Sequence, residues 1–373
     1  MAKILLIASY APSLVNFRGP LIRTLAGAGH EVHVAAPDAV ATIAGSNLAD
    51  IVTAHDTTLD RTGGNPFADF GTLAGYRKLI RAIRPSHVLS YTIKPVIYGT
   101  LAARLERVRH RFALLTGLGY VFESKSARAR LMRTLIWPLY RAALKGAEAV
   151  IFQNPDDAAT LRRARLTGPG QRVVIVSGSG IDREHFRPAP VPAGKSVLMI
   201  GRLVAAKGLL DYVAAARIVR AAHPDIEFRI AGWIDEANPS AISRADLDGW
   251  VADSTIVYLG PLDDVRPALA DCTLFCLPSY YEGTPRTVLE ALATGRPVVT
   301  TDAPGCRETV RDGWNGRLVP VRDPQALAGA VIEILSDSAK TERMAAASLD
   351  YARDRYDVHK VNAEMIGAMG LAA

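Results

Sequence analysis

The chain is poor in the features that announce several protein classes. Only three cysteines, Cys272, Cys276 and Cys306, occur in 373 residues. That excludes a disulfide framework and points to a reducing compartment. Cys272-x3-Cys276 has no neighbouring His or further Cys, so buried thiols are expected and zinc is not. His30, His33, His87 and His110 are scattered without ligand spacing. Asp246-Leu-Asp248 lies in a polar, helix-patterned surface stretch beside Trp250, so no catalytic metal is expected there either. No apolar run is long enough to span a bilayer. The run Met1–Ala11 is short, and Asn16-Phe17-Arg18-Gly19 follows without a small-x-small cleavage site, so it reads as a first strand and not as a signal peptide. The dinucleotide fingerprint G-x-G-x-x-G and the Walker A sequence are both missing, which disfavours NAD and P-loop chemistry. No nucleic-acid-binding module is recognisable.

What is present is a repeated strand–helix rhythm. The length favours two domains, and 49% hydrophobic with 22% charged residues suits a globular core. Strands are expected at Lys3–Ala8, Glu31–Ala36, His87–Tyr91, Phe112–Leu115, Ala149–Phe152 and Val173–Val176. An amphipathic helix is expected over Phe17–Gly29. Pro188, Pro190, Pro192 and Gly194 make Ile181–Lys195 an expected linker. The rhythm then restarts with strands at Ser196–Ile200, Glu227–Ala231, Thr255–Leu259, Thr273–Leu277 and Val298–Thr301. The prediction is an α/β protein with two Rossmann-like, doubly wound domains, 1–185 and 186–349. A helical tail, 350–369, is expected to pack back on the first. In open α/β sheets ligands bind at the carboxyl ends of strands, so two such domains facing each other would form a cleft.

Charge is unevenly placed. The net charge is +7. Residues 76–145 alone hold 15 basic and 2 acidic residues. Basic amphipathic stretches at 76–84 and 125–145, the latter with Trp137, read as contacts to an anionic membrane surface in preference to nucleic acid or a merely solvated face.

The motifs with chemical content all follow expected strands. In Glu282-Gly283-Thr284-Pro285-Arg286-Thr287-Val288-Leu289-Glu290, Thr284 is the expected N-cap and Pro285 the first helical residue. Val288, Leu289 and Leu292 give helical periodicity, and Gly295 is the expected stop. A helix N-terminus attracts phosphate or a sugar hydroxyl. Glu290 lies within reach of a ribose, and Glu282 lies at the rim, where a sugar would sit. The loop Gly201-Arg202-Leu203-Val204-Ala205-Ala206-Lys207-Gly208 brackets two cations suited to phosphates, Arg202 as a fork and Lys207 as a point charge. Asp302–Glu308 and Gly313-Trp314-Asn315-Gly316 are expected to be turns lining the same pocket. In the first half, Gly19 opens a helix and allows close approach of phosphates, with an ordinary strand-to-helix turn as the equal alternative. Lys94, Thr116, Gly117 and Tyr120 follow strands and make an acceptor site, Lys94 meeting a phosphate; packing explains Tyr120 equally well.

Together these residues resemble the retaining GT-B glycosyltransferases of family four. The resemblance rests on Glu282-x7-Glu290, Gly201-Arg202 to Lys207-Gly208, Pro278-Ser279-x-x-Glu282-Gly283, Gly295-x-Pro297-Val298-Val299 and Gly305-x-x-Glu308. Thr92-x-Lys94-Pro95 and Thr116-Gly-Leu-Gly119 are similar to a bacterial branch that uses polyprenyl-diphosphate sugars for capsule, exopolysaccharide or protein-glycan assembly. The resemblance implies a sugar nucleotide donor, most often UDP-linked, no resident cofactor and no metal. It implies that Arg202 and Lys207 neutralise the leaving diphosphate and that Glu290 meets the ribose. Glu282 and the backbone of Gly283–Pro285 would meet the donor sugar, with Arg286 and Thr287 near the phosphates. Many family members carry a histidine in the loop that Thr116–Gly119 occupies here, so no catalytic histidine is assigned. The implied setting is the cytoplasmic face of the bacterial membrane. A sugar-nucleotide epimerase of the same fold and a transferase to a soluble acceptor are the alternatives, and a catalytically silent glycan- or lipid-binding module is a third class.

Overall fold

The computed structural model describes residues 1–59, 66–118, 127–236, 238 and 240–371, with the backbone alone for 66–68, 127–133 and 135. The chain divides into two compact units: Met1–Ser179 with His359–Ala373, and Gly180–Val358.

The first unit is built on seven parallel strands: β1 (Lys3–Ile7), β2 (Glu31–Ala36), β3 (Thr53–Asp56), β4 (His87–Tyr91), β5 (His110–Leu115), β6 (Ala149–Phe152) and β7 (Arg172–Ile175). Their order is β3-β2-β1-β4-β5-β6-β7. The register pairs Ile4 with Val32 on one side and with His87 on the other. Strands buried on both faces need near-continuous apolar runs, and Ile4–Ile7 and Phe112–Leu115 are fully buried. The two edge strands, β3 and β7, are the exceptions, and β3 is the more polar. Its residues Thr53 and Asp56 are exposed, as an edge allows, and this polar character hides it from hydrophobic patterning. The helical segment after β1 also differs from expectation. It begins at Pro12, breaks at Phe17–Arg18 and restarts at Gly19, with Pro20 at the start of the second piece. Met365, Ile366, Ala368 and Met369 from the returning tail lie in this unit's core beside Ile4, Leu6 and Val34.

The second unit has six parallel strands in the order β10-β9-β8-β11-β12-β13. They are β8 (Lys195–Ile200), β9 (Ile226–Ala231), β10 (Val257–Tyr258), β11 (Leu274–Leu277), β12 (Val298–Thr301) and β13 (Gly316–Val319). The proline-rich segment before β8 is tied down, contrary to a free linker. The fully buried Arg296 donates to the carbonyls of Ala189 and Pro190 at 2.8 Å each, and Ala189 N–H donates to Thr294 O at 3.1 Å. Gly313–Gly316 is a structural turn and not a pocket wall. Buried Asn315 accepts from Arg311 N–H and donates to Thr309 O. Trp314 packs edge-on to Tyr351 and lies under the Arg311 guanidinium. Its second glycine begins β13, a strand the turn residues mask in the sequence.

The three thiols are free and buried. Burial pushes Cys272 and Cys306 up to about 12 and raises Cys276 as well, so these thiols are inert packing groups.

Candidate active site

In the second unit, the loops after β8, β9, β11 and β12 gather at the carboxyl edge of the sheet. Gly208 shows how tightly. Its φ is 72°, and a Cβ there would sit 1.9 Å from the Pro278 carbonyl oxygen. Only glycine closes the loop after β8 against the loop after β11. Tyr280 N–H then donates to Ala206 O at 3.0 Å, and Glu282 N–H to Pro304 O at 2.9 Å. Gly201 is different, because a Cβ there would meet nothing within 4 Å. The fold leaves that space open beside Arg202.

Three cations of this edge are held by carboxylates, while Arg322, after β13, lies over the Tyr280 ring at 4.7 Å. Arg202 donates to Asp235 at 2.8 Å. Lys207 donates to Glu282, which joins the loop after β8 to the loop after β11. Arg286 pairs with Glu290 one turn along the same helix at 3.0 Å and also donates to Gly180 O at 3.3 Å. Glu290 is buried, and loss of water raises its carboxyl above the ordinary range against the pull of Arg286. Asp235, in the loop after β9, was not singled out from the sequence. No motif marks it, and only the fold brings it to Arg202.

The helix carrying Glu290 runs from Arg286 to Thr294 and ends on Gly295 at φ 79°. Its cap differs from expectation. The helix starts one residue later than expected, so Pro285 is the capping residue and offers no side-chain acceptor, while the Thr284 hydroxyl donates to the Gly283 carbonyl at 3.0 Å. An end without a side-chain cap keeps its amide dipoles directed at the edge where Thr284, Pro285, Arg286 and Thr287 sit.

In the first unit, the carboxyl edge carries the other expected residues. Gly19 is buried at a helix start, where a Cβ would make only ordinary contacts, the nearest at 3.5 Å. The next-door Arg18 is buried and lies over the Tyr91 ring at 5.4 Å. Lys94, in the first turn of the helix Ile93–Leu105, donates to Asp69 at 2.8 Å. The second oxygen of Asp69 accepts from Tyr98 OH at 2.8 Å. Lys94 therefore meets a carboxylate that sequence reading did not anticipate. Before it, Thr92 takes φ 67° and ψ 160°, a conformation costly for a β-branched residue and typical of functional sites. Its hydroxyl donates to Ser9 Oγ at 2.8 Å, joining the loops after β4 and β1. Thr116 and Gly117 follow β5, half-buried, with Gly117 at φ 122°. Tyr120 lies outside the described residues.

The basic surface is partly neutralised. Arg77 and Arg81, in the helix Pro66–Ile83, both bind Glu106, at 2.6 and 2.7 Å. Lys78, Arg84, Arg107 and Arg109 are exposed. Arg81, Arg84, Arg107 and Arg109 line a groove of about 490 Å³. It lies at the amino ends of β4 and β5, the edge opposite Lys94 and Thr116. Within 125–145, residues 125 and 126 lie outside the described residues, as do the side chains of Arg128, Arg130 and Arg133. The described part of the helix Ala127–Gly146 exposes Leu139, Arg141 and Lys145. No described helix is long and apolar enough to cross a membrane, and no described cluster of His, Cys, Asp and Glu could hold a metal. Asp246 binds the capping Ser243, and Asp248 pairs with Arg244 at 3.0 Å, so the D-x-D triplet is spent on its own helix.

Two family models match the chain: "Glycosyl transferase 4-like" over residues 3–154 and "Glycosyl transferases group 1" over 194–337. The chain belongs to the group 1, or family-four, glycosyltransferases. Among its relatives is the N,N'-diacetylbacillosaminyl-diphospho-undecaprenol alpha-1,3-N-acetylgalactosaminyltransferase of Campylobacter jejuni, 29% identical over 87% of each chain. Another is the Escherichia coli UDP-Gal:alpha-D-GlcNAc-diphosphoundecaprenol alpha-1,3-galactosyltransferase, 25% identical over 72% of this chain and 71% of that one. Anabaena HepE, solved with UDP, superposes with a TM-score of 0.78 at 18% identity, covering 99% of this chain and 100% of its own. The two parallel sheets form the GT-B fold of this glycosyltransferase.

Proposed function

We propose that this glycosyltransferase moves a hexose or N-acetylhexosamine from a UDP-sugar to a polyprenyl-diphosphate-linked saccharide, with retention and without a metal, in bacterial surface-polysaccharide or glycan assembly. The observation that carries it is the Lys207–Glu282 pair beside Arg202, which puts a phosphate-seeking cation and a hydroxyl-seeking carboxylate together at one strand edge. The names of the Campylobacter and Escherichia relatives support the donor and the lipid-linked acceptor.

The chemical difficulty is charge on the leaving group. As the bond from the anomeric carbon to the phosphate oxygen breaks, its electron pair stays on the diphosphate. Arg202, Lys207 and the amide end of the helix Arg286–Thr294 stabilise that anion, each such group contributing on the order of 3–4 kcal/mol. The acceptor oxygen bonds to the same face of the anomeric carbon, and its proton passes to the departing phosphate oxygen. Glu282 orients the sugar hydroxyls and Glu290 those of the ribose. Lys94, Thr116, Gly117 and Tyr120 belong to the acceptor side. The protein works at the cytoplasmic face of the membrane, held by unpaired basic residues of the first unit. Their described part lies at the edge away from Lys94, so it serves attachment and not acceptor recognition.

A panel of UDP-sugars, each with and without a polyprenyl-diphosphate saccharide, tests the proposal. Donor consumption is expected only with the lipid acceptor, yielding an extended lipid-linked glycan. Equal consumption without it would establish the epimerase, and transfer to free saccharides at the same rate would establish the soluble-acceptor enzyme.

A further inference from the structure

The loop after β9 presents an aromatic face that the fold does not use. Trp233 is 54% exposed, although tryptophan is among the residues most readily buried. Trp314, 39% exposed, is engaged by Tyr351 and Arg311. Trp233 has no ring or cation partner and no side-chain hydrogen bond among the described residues. Its backbone, by contrast, is held firmly. Trp233 O accepts from Leu203 N–H at 2.9 Å, Gly201 N–H donates to Ala231 O at 3.0 Å, and Ala205 N–H donates to Ser240 O at 2.7 Å.

Gly232 sets the approach. Its φ is 144°, and a Cβ there would lie 1.8 Å from the Gly201 carbonyl oxygen. Gly232 N–H donates to Gly260 O at 2.9 Å, and its own carbonyl accepts from Tyr258 OH at 2.7 Å. The loops after β8, β9 and β10 thus meet at one point, and the backbone of Trp233 is tied to the loop that carries Arg202. Two residues on, Asp235 holds the Arg202 guanidinium. An exposed aromatic plane whose backbone is bonded to the loop that carries Arg202 fits a ligand that joins an anion to a flat ring.

We infer that Trp233 is the stacking platform for the nucleobase of the donor, a role that rests on the proposed use of a nucleoside-diphosphate sugar. Base–aromatic stacking contributes about 1–3 kcal/mol by alanine substitution. With the base on the indole, Arg202 is placed at the phosphates, and Asp235 keeps it turned towards them.

Calorimetric titration of the wild type, Trp233→Ala and Trp233→Phe with UDP and with inorganic pyrophosphate tests the assignment. Trp233→Ala is expected to weaken UDP by about fivefold to a hundredfold and to leave pyrophosphate affinity unchanged. Trp233→Phe should keep most of the UDP affinity. Because the side chain is exposed, all three proteins should melt together. A Trp233→Ala protein that binds UDP like the wild type overturns the inference alone. So does an equal loss for pyrophosphate, which would mean a displaced loop, and so does a higher acceptor KM with unchanged UDP binding. A wild type that binds no UDP overturns the donor reading and this role with it.

Discussion

The carboxyl edge of the second unit and the basic groove of the first handle positive charge in opposite ways. At the carboxyl edge of the second unit three cations each have a carboxylate of their own: Arg202 with Asp235, Lys207 with Glu282, and Arg286 with Glu290. On the described surface of the first unit, Arg77 and Arg81 share the single carboxylate of Glu106, while Lys78, Arg84, Arg107 and Arg109 have no acidic partner. A matched set suits a small ligand that exchanges partners: the phosphates take the cations, and the released carboxylates turn to hydroxyls. An unmatched set keeps its field and suits an extended anionic surface.

The contrast can be broken most forcefully at Lys207. Lys207→Ala is expected to cut kcat by about a hundredfold to a thousandfold with little change in acceptor KM; near-normal turnover would remove Lys207 from the chemistry. Next in size is the unmatched surface. Each juxtamembrane charge contributes about 1 kcal/mol to anionic membranes. A variant with Lys78, Arg84, Arg107 and Arg109 changed to Gln should therefore sediment far less with anionic liposomes and keep its UDP affinity. Equal sedimentation, or binding to neutral liposomes alone, would defeat the electrostatic account.

Glu282→Gln sharpens the comparison because two readouts move in opposite directions. Without its counter-ion Lys207 should bind UDP about twofold to fivefold more tightly, while transfer slows as the sugar loses its orienting carboxylate. Weaker UDP binding would contradict partner exchange. The smallest effect is expected from Glu290→Gln, read by urea unfolding against pH. The folded carboxyl titrates above its unfolded value because burial opposes ionisation. Its contribution is complete in acid and lost as pH rises through the folded value. Relative to the Gln variant, the wild type should lose stability between the ordinary carboxylate range and neutrality; a flat difference would place the charge in water.

Much of this was legible in the sequence because local rules and fold agree. Buried parallel strands such as Ile4–Ile7 and Val298–Thr301 need apolar runs, and Gly295 ends its helix in the left-handed conformation only glycine adopts cheaply. The failures have a common physical origin in distance along the chain. Asp235 lies 33 residues from Arg202, and Asp69 lies 25 from Lys94. Neither carboxylate carries a spacing signature, so nothing before folding ties it to its cation. The helix cap differs for a local reason, since the helix starts at Arg286 and puts Pro285, which has no side-chain acceptor, in the capping position. Edge strands β3 and β13 failed because polar or turn-forming residues are tolerated where one side of a sheet is open.

The returning tail has a consequence for synthesis on the ribosome. Met365, Ile366 and Met369 fill the core of a unit whose other residues end at Ser179. At roughly 5–20 residues per second, translating the intervening segment takes about 10–35 s. For that interval the nascent first unit carries an apolar hole beside Ile4 and Val34 while the second unit, Gly180–Val358, is still being made. A chaperone waiting at the exit tunnel would find its client in the half made first.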